Sequence, residues 1–127
     1  MIIQKYTDLE LDKEVLFVLK QHLGKKNPVG RWEIVSRVFG VGAAALQNDD
    51  NPADRQIRES IARLRKGGVL VCNMGDGRGS YLAESVEEYN EFRSYYGSAA
   101  FEKMEIIRRM DDAAKSEFPD LLQPRLI

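Results

Sequence analysis

The hydrophobic positions in the first third of the chain predict two short helices. Apolar side chains recur three or four residues apart over about residues 12–23, which indicates an amphipathic helix. Gly24 ends this helix, and the Asn, Pro and Gly residues that follow predict a turn. A second helix is predicted over residues 31–39, with Gly40 at its end.

The third helix has the clearest boundary signals. Asn51 is a favourable N-cap, Asp54 stands where a capping box places its carboxylate, and a proline occupies the first helical position. Paired glycines at 67–68 end the helix, which is therefore predicted over residues 52–66.

A β-hairpin is predicted directly after these glycines. The residues that follow are β-branched and apolar, as in a strand. The string GDGRG at 75–79 is typical of a hairpin tip, and SYLA at 80–83 reads as the returning strand. The hairpin therefore covers about residues 69–83.

The last third of the chain predicts one long helix. Ser85 and Glu88 form a capping box, and the helix extends over about residues 85–118, leaving a flexible tail at 119–127. Three helices followed by a hairpin is the order of a winged helix-turn-helix domain, which we expect over residues 1–84. The predicted fold class is mainly α with a small β-hairpin, a winged helix-turn-helix plus a long C-terminal helix.

The distribution of charge adds information that the total charge hides. The chain has 127 residues, enough for about one domain, and a net charge of −1. Residues 13–82 carry 12 Lys and Arg against 7 Asp and Glu, whereas residues 83–127 carry 6 against 10. A basic centre beside acidic ends indicates nucleic-acid contact by one part of the chain, although ordinary surface variation gives the same pattern.

A helical wheel separates the third helix into an apolar face and a basic face. Ile57, Ile61 and Leu64 lie within about 60° of one another and are predicted to be buried. Ala62 lies among the cations on the opposite face and would allow close approach to a ligand. A charged face is also common on helices that bind nothing, but the hairpin that follows favours duplex DNA as the ligand.

The expected DNA contacts have different roles. Arg55 and Gln56 lie at the helix start and have the chemistry to pair with guanine and adenine. Lys66 and Arg65 at the helix end, and Arg78 at the hairpin tip, are expected at phosphates or in the minor groove. The full predicted set is Arg55, Gln56, Arg58, Arg63, Arg65, Lys66 and Arg78.

Several short motifs follow one another in a characteristic order between residues 52 and 92. They are Asp-Arg at 54–55, Arg-x-x-Ile-x-x-Leu-Arg at 58–65, a glycine-rich turn, and Tyr-Leu-Ala-Glu-Ser at 81–85. This order resembles the winged-helix domains of phage and prophage-related proteins. The resemblance implies DNA binding in the regulation or replication of mobile elements, although the loop before the third helix is longer than in a tight helix-turn-helix.

The long final helix carries an apolar stripe with spacings of three and four residues. A helix of this length exceeds what a small domain can cover, so we expect it to pair with the same helix of a second chain, as in a coiled coil. The alternative is that its first half packs on its own domain and its second half is exposed. The predicted dimer interface is Tyr89, Phe92, Tyr96, Ala100, Met104 and Ile107.

Nothing in the sequence selects a catalytic site. His22 is the only histidine and Cys72 the only cysteine, and no nucleophile has a base partner at a recognisable spacing. We therefore expect no catalytic residues, no metal and no cofactor. The chain has neither a signal-peptide pattern nor an apolar run of bilayer length, so we expect no membrane contact and a cytoplasmic location.

Two functions are consistent with these observations. The first is a DNA-binding transcription regulator or replication accessory protein, which the basic face favours. The second is a non-catalytic adaptor that uses the winged helix and the long helix to bind other proteins, which the overall acidity favours. A further candidate partner is the bacterial replication clamp, because Gln123–Ile127 loosely resembles its glutamine-leucine-aromatic binding peptide.

Overall fold

The computed structural model describes residues 5–40 and 52–118. The elements follow in the order α1 (Asp8–Leu19), α2 (Arg31–Phe39), α3 (Pro52–Lys66), β1 (Val71–Cys72), β2 (Tyr81–Leu82) and α4 (Val86–Glu117). The predicted class, mainly α with a small hairpin and a long final helix, is confirmed. The chain forms two compact units, Met1–Phe92 and Arg93–Ile127, so the first unit extends beyond residue 84, where we expected it to end.

The first helix was predicted four residues too late at both ends. Thr7 is its N-cap, and the Thr7 side chain accepts a hydrogen bond from the backbone N–H of Glu10. Beyond Leu19 the chain turns and pairs with β2: Leu82 donates to the carbonyl of His22 and accepts from the N–H of Gly24. These pairings replace the last turn of the predicted helix.

The second and third helices have the bounds that the sequence predicted. Gly40 follows α2 with a left-handed φ of 71°, and Gly68 follows α3 with a φ of 90°. The loop at 41–51, the tail at 119–127 and the clamp-like peptide Gln123–Ile127 lie outside the described residues.

One hydrophobic core joins α1, α2 and α3. Ile57 and Leu64 are buried as the wheel predicted, whereas Ile61 is only half-buried at the margin of the core. Polar side chains of α3 are buried there as well, namely Asp54 and Ser60. Each fully buried aliphatic side chain stabilises the fold by about 1.5–3 kcal/mol; the nearly inaccessible ones include Val15, Leu19, Ile34, Val35 and Ile57.

The hairpin pairs with a third segment of the chain. Within the hairpin, Val71 lies opposite Leu82 in an antiparallel register. In addition, Val29 and Ser80 exchange both backbone hydrogen bonds, at 2.8 and 2.9 Å. The segment before α2, which the sequence predicted only as a turn, therefore extends the pairing of the small sheet.

Gly79 allows this third segment to approach the hairpin. A Cβ atom at Gly79 would lie 2.1 Å from the carbonyl oxygen of Val29, and the φ of Gly79 is +117°. A side chain is excluded both by the contact and by the backbone conformation. The hairpin is thus held against the residues that lead into α2.

The long helix α4 begins with the predicted capping box. The backbone N–H of Glu88 donates to Ser85 Oγ, and the Glu88 carboxylate accepts from the N–H groups of Glu84 and Lys25. These two backbone hydrogen bonds lower the pKa of Glu88. Throughout the described ranges, no helix combines the length and the apolar content needed to cross a membrane.

Candidate nucleic-acid interface

Three cations remain on the exposed face of α3. They are Arg55, Arg58 and Lys66, with Ala62 between them and Glu59 beside them. Among the described residues, neither Arg55 nor Lys66 has an ion-pair partner. Lys66 follows Arg55 by eleven positions, which corresponds to about 16 Å along the helix, about half of the ~34 Å helical repeat of duplex DNA.

A buried carboxylate holds two arginines at the start of α3. Asp54 is 1% exposed; its Oδ2 lies 3.1 Å from Arg58 Nε, and its Oδ1 lies 3.0 Å from Arg31 Nε of α2. The Arg31 guanidinium also lies 4.3 Å above the ring of Trp32. Because both arginine side chains are about half exposed, Asp54 fixes their positions without removing them from the surface.

Arg31 is a functional candidate that the sequence analysis missed. The pairing of Asp54 with Arg58 can be read from their spacing of four residues on one helix. Arg31 comes from a different helix, and no spacing rule connects it to Asp54. Only the packing of α2 against α3 brings the two together.

Arg63 was predicted to contact DNA, but it is engaged within the fold. Its Nε and Nη2 donate to the Asp12 carboxylate of α1 at 2.9–3.1 Å, and Ser60 Oγ donates to the same carboxylate at 2.6 Å. Burial raises the pKa of Asp12, but these hydrogen bonds and the charge of Arg63 outweigh it and hold that pKa below its ordinary value. Arg63 therefore joins α3 to α1, and a DNA contact by Arg63 would compete with its ion pair to Asp12.

Arg65 also departs from the predicted face. Its Nε donates to the carbonyl of Val71 at 2.9 Å, and its guanidinium lies 5.2 Å from the ring of Phe92. The side chain is half-buried because it lies at the edge of α3 that faces the hairpin. Arg65 thus connects α3 to β1 and to the start of α4. On the opposite edge of α3, Gln56 is also half-buried.

The hairpin tip presents one exposed cation. Arg78 has a side chain that is 73% exposed, and its Nε lies 3.8 Å from the Asp76 carboxylate. The backbone N–H of Arg78 donates to Asp76 Oδ1, which orders the tip. Beside the hairpin, at the start of α2, lies a groove of about 590 Å³ that is lined by Gly30, Arg31, Trp32, Glu33, Asn73, Gly77 and Gly79.

The predicted dimer residues divide between the two compact units. Phe92 packs with Cys72 and Tyr81 inside the first unit and is only 7% exposed, so its assignment to a dimer interface is corrected. Tyr89 is half-buried in the same unit. The remaining predicted residues are exposed on the helix of the second unit: Tyr96, Ala100, Met104 and Ile107.

Comparison with other proteins adds no candidate residue. No family model, characterised protein or solved structure matches the chain. Over residues 5–40 and 52–118, no group of three or more His, Cys, Asp or Glu is placed to hold a metal ion. The candidate interface is therefore defined by the contacts and charges of this chain alone.

Proposed function

We propose that this protein binds double-stranded DNA through α3 and the hairpin tip, as a winged helix-turn-helix protein of a transcription-regulating or replication-accessory type. The observation that carries the proposal is the exposed face of α3, where Arg55 and Lys66 have no ion-pair partner among the described residues. Ala62 lies between them, so a long side chain does not hold the helix away from a ligand.

The surroundings of α3 support the same ligand. Arg58 and Arg31 remain partly exposed beside Arg55, and Arg78 is exposed at the hairpin tip. Three helices and a hairpin occur in the order in which winged-helix proteins present a recognition helix and a wing. Cations along one helix and one hairpin suit a polyanion whose charges recur at regular spacing.

The position of each cation assigns it a role. Arg55 lies at the start of α3, the end that enters the major groove in helix-turn-helix proteins, so we assign it to a base edge. Lys66 lies at the far end of α3 and Arg78 at the hairpin tip, so we assign both to phosphates or the minor groove.

The phosphate assignment is tested by a salt series. Binding of a fluorescent 30-bp random duplex is measured by anisotropy from 50 to 300 mM salt for the parent protein and for Lys66→Ala. Loss of one phosphate contact should make the slope of log affinity against log salt shallower by about 0.9. Lys13→Ala removes an exposed lysine of α1 and should leave the slope unchanged. Absence of binding by the parent protein at 50 mM salt would overturn the proposal and favour the adaptor function.

The base assignment needs a selected site. Duplexes enriched from a random pool by the parent protein supply the preferred sequence, and a scrambled duplex of the same composition is the comparison. Arg55→Ala should lose preference for the selected site by about 1–3 kcal/mol, or roughly 5- to 150-fold, and should bind scrambled DNA only slightly more weakly. An equal loss on both duplexes would show that Arg55 contacts phosphate instead.

A further inference from the structure

The helix of the second unit exposes an apolar face along its length. Between Arg93 and Glu117 no described residue is buried, although Ile106 and Met110 are among its large side chains and are 58% and 64% exposed. Most helices in proteins gain their stability chiefly by packing an apolar face against another surface. A second surface that covers this face would remove its apolar side chains from water.

The pattern of the face is that of a short coiled coil. Ala100, Ile107 and Ala114 follow one another at seven-residue intervals, and Lys103 and Met110 fall between them at the second core position. Most flanking positions are also small or apolar, namely Ala99, Met104, Ile106 and Ala113, whereas Asp111 is charged. The apolar face is therefore wider than the narrow seam of a charged two-stranded coil.

We propose that this helix pairs with the same helix of a second copy of the chain, antiparallel and centred near Glu105. In that register Ala100 lies opposite Met110 of the second copy, so a small residue faces a large one. At the next layer outward, Tyr96 lies opposite Ala114, again large against small. At the ends of the helix, Arg93 lies opposite Glu117, which gives one pair of opposite charges at each end.

Charge and size complementarity select this orientation. In a parallel pair of the same register, each residue faces its own copy. Arg93, Lys103 and Glu117 would then each meet an identical charge, and Ala100 would meet Ala100 and leave a gap. The antiparallel arrangement removes all three like-charge contacts and places Lys103 beside Ile107, where its long stem can pack while its ammonium reaches water. The dimer does not depend on DNA binding, and each dimer carries two copies of α3.

The oligomeric state is tested first. Light scattering of the purified full chain at micromolar concentration should give twice the 14.5 kDa chain mass. In the proposed register Ile106 lies opposite Met104 of the second copy, so Ile106→Glu places a carboxylate against an apolar side chain on both sides of the centre. This variant should give a monomer at the same concentration. Arg109→Glu introduces a similar charge on the exposed opposite face and should remain a dimer. A parent chain that is still monomeric at tenfold higher concentration would overturn the proposal.

The orientation is tested by exchanging charges. Arg93→Glu and Glu117→Arg should each weaken the dimer by roughly tenfold, because each creates a like-charge pair at both ends. The double variant should restore the parent affinity, since the pairs are then exchanged rather than lost. In a parallel dimer both residues would still meet identical charges, and the double variant would restore nothing.

Disulfide formation gives an independent measure of the register. Ala100→Cys and Met110→Cys are prepared as separate chains, one of them carrying a tag, and are mixed under mild oxidation. The antiparallel register should yield the mixed disulfide, and the buried Cys72 should not take part. Disulfides only between identical chains would refute the antiparallel arrangement, even if the protein is a dimer.

Discussion

The ion pair between Asp12 and Arg63 predicts how α3 is held in position. Asp12→Asn preserves the shape of the side chain but removes its charge and replaces one acceptor oxygen with a donor. Arg63 donates to both carboxylate oxygens, and Ser60 donates to one of them. The substitution therefore leaves at least one donor facing another donor.

The size of the effect follows from these contacts and their exposure. A hydrogen bond to a charged group contributes about 1.5–3 kcal/mol when it is shielded from water. The side chains of Asp12 and Arg63 are 20% and 31% exposed, so solvent screening reduces the contribution of each bond. We expect a total loss of about 2 kcal/mol, which corresponds to a fall in Tm of roughly 10 °C for a domain of this size.

Thermal and urea unfolding of the full chain measure this loss. Glu14→Gln makes the same change of charge at an exposed position of the same helix and should stay within about 0.5 kcal/mol of the parent. If Asp12→Asn were no less stable than Glu14→Gln at pH 7, the ion pair would not hold α3 against α1.

The same pair predicts a dependence on pH. The pKa of Asp12 in the fold lies below its ordinary value of 3.8, so its stabilising contribution is complete above that value and is lost as the pH falls through the lower, folded value. The difference in stability between the parent and Asp12→Asn should therefore be constant from pH 7 to about 5 and shrink below about 4. A difference that stays the same at pH 2 would assign the effect to packing instead of charge.

Two further substitutions test the hairpin. Gly79→Ala should lower the free energy of unfolding by about 1–3 kcal/mol more than Gly77→Ala, because both glycines have positive φ but only Gly79 lies against Val29. Equal losses of stability in urea unfolding would show that the close contact with Val29 does not matter. Tyr81→Phe should be neutral or stabilising, because the buried Tyr81 hydroxyl has no hydrogen-bond partner among the described residues. Burial raises the pKa of Tyr81 to about 12, so the stability of the parent protein should fall between pH 10 and 12, where only the unfolded chain loses this proton. Tyr81→Phe should lessen that fall, which urea unfolding at a series of pH values would measure.

Local signals were sufficient for the helix ends that short motifs encode. The proline at the start of α3 and the glycines after α2 and α3 act within a few residues, and both helices have the predicted bounds. For α1 the apolar spacing continued through Leu23, which is 51% exposed and lies in a bridge to Leu82 instead. There the pairing with a strand some sixty residues later determined the end of the helix.

For the candidate site, the sequence predicted only the angular position of each side chain around α3. Those positions correctly placed Arg55, Arg58 and Lys66 on the exposed face. It could not identify the partners of Arg63 and Arg65, because the Asp12 carboxylate and a strand carbonyl reach α3 only through tertiary packing.

Because Arg63 and Arg65 have partners within the fold, the number of cations that meet DNA depends on whether those contacts break. If all five cations of α3 and Arg78 met phosphates, the salt dependence per chain would have a slope of about −5.4. With Arg55 at a base edge and Arg63 and Arg65 held within the fold, three phosphate contacts would give a slope of about −2.7. The contacts of Arg63 with Asp12 favour the smaller value, because breaking them costs stability that a phosphate must replace. A slope near the larger value would mean that DNA draws Arg63 and Arg65 away from their partners. In that event Asp12→Asn, which frees Arg63 in advance, would tighten DNA binding while destabilising the fold. With the smaller slope, Arg63 keeps its partner on DNA, and Asp12→Asn should lower stability without tightening DNA binding. Stability and DNA affinity measured on this one variant therefore decide between an α3 that stays rigid and one that is remodelled on DNA.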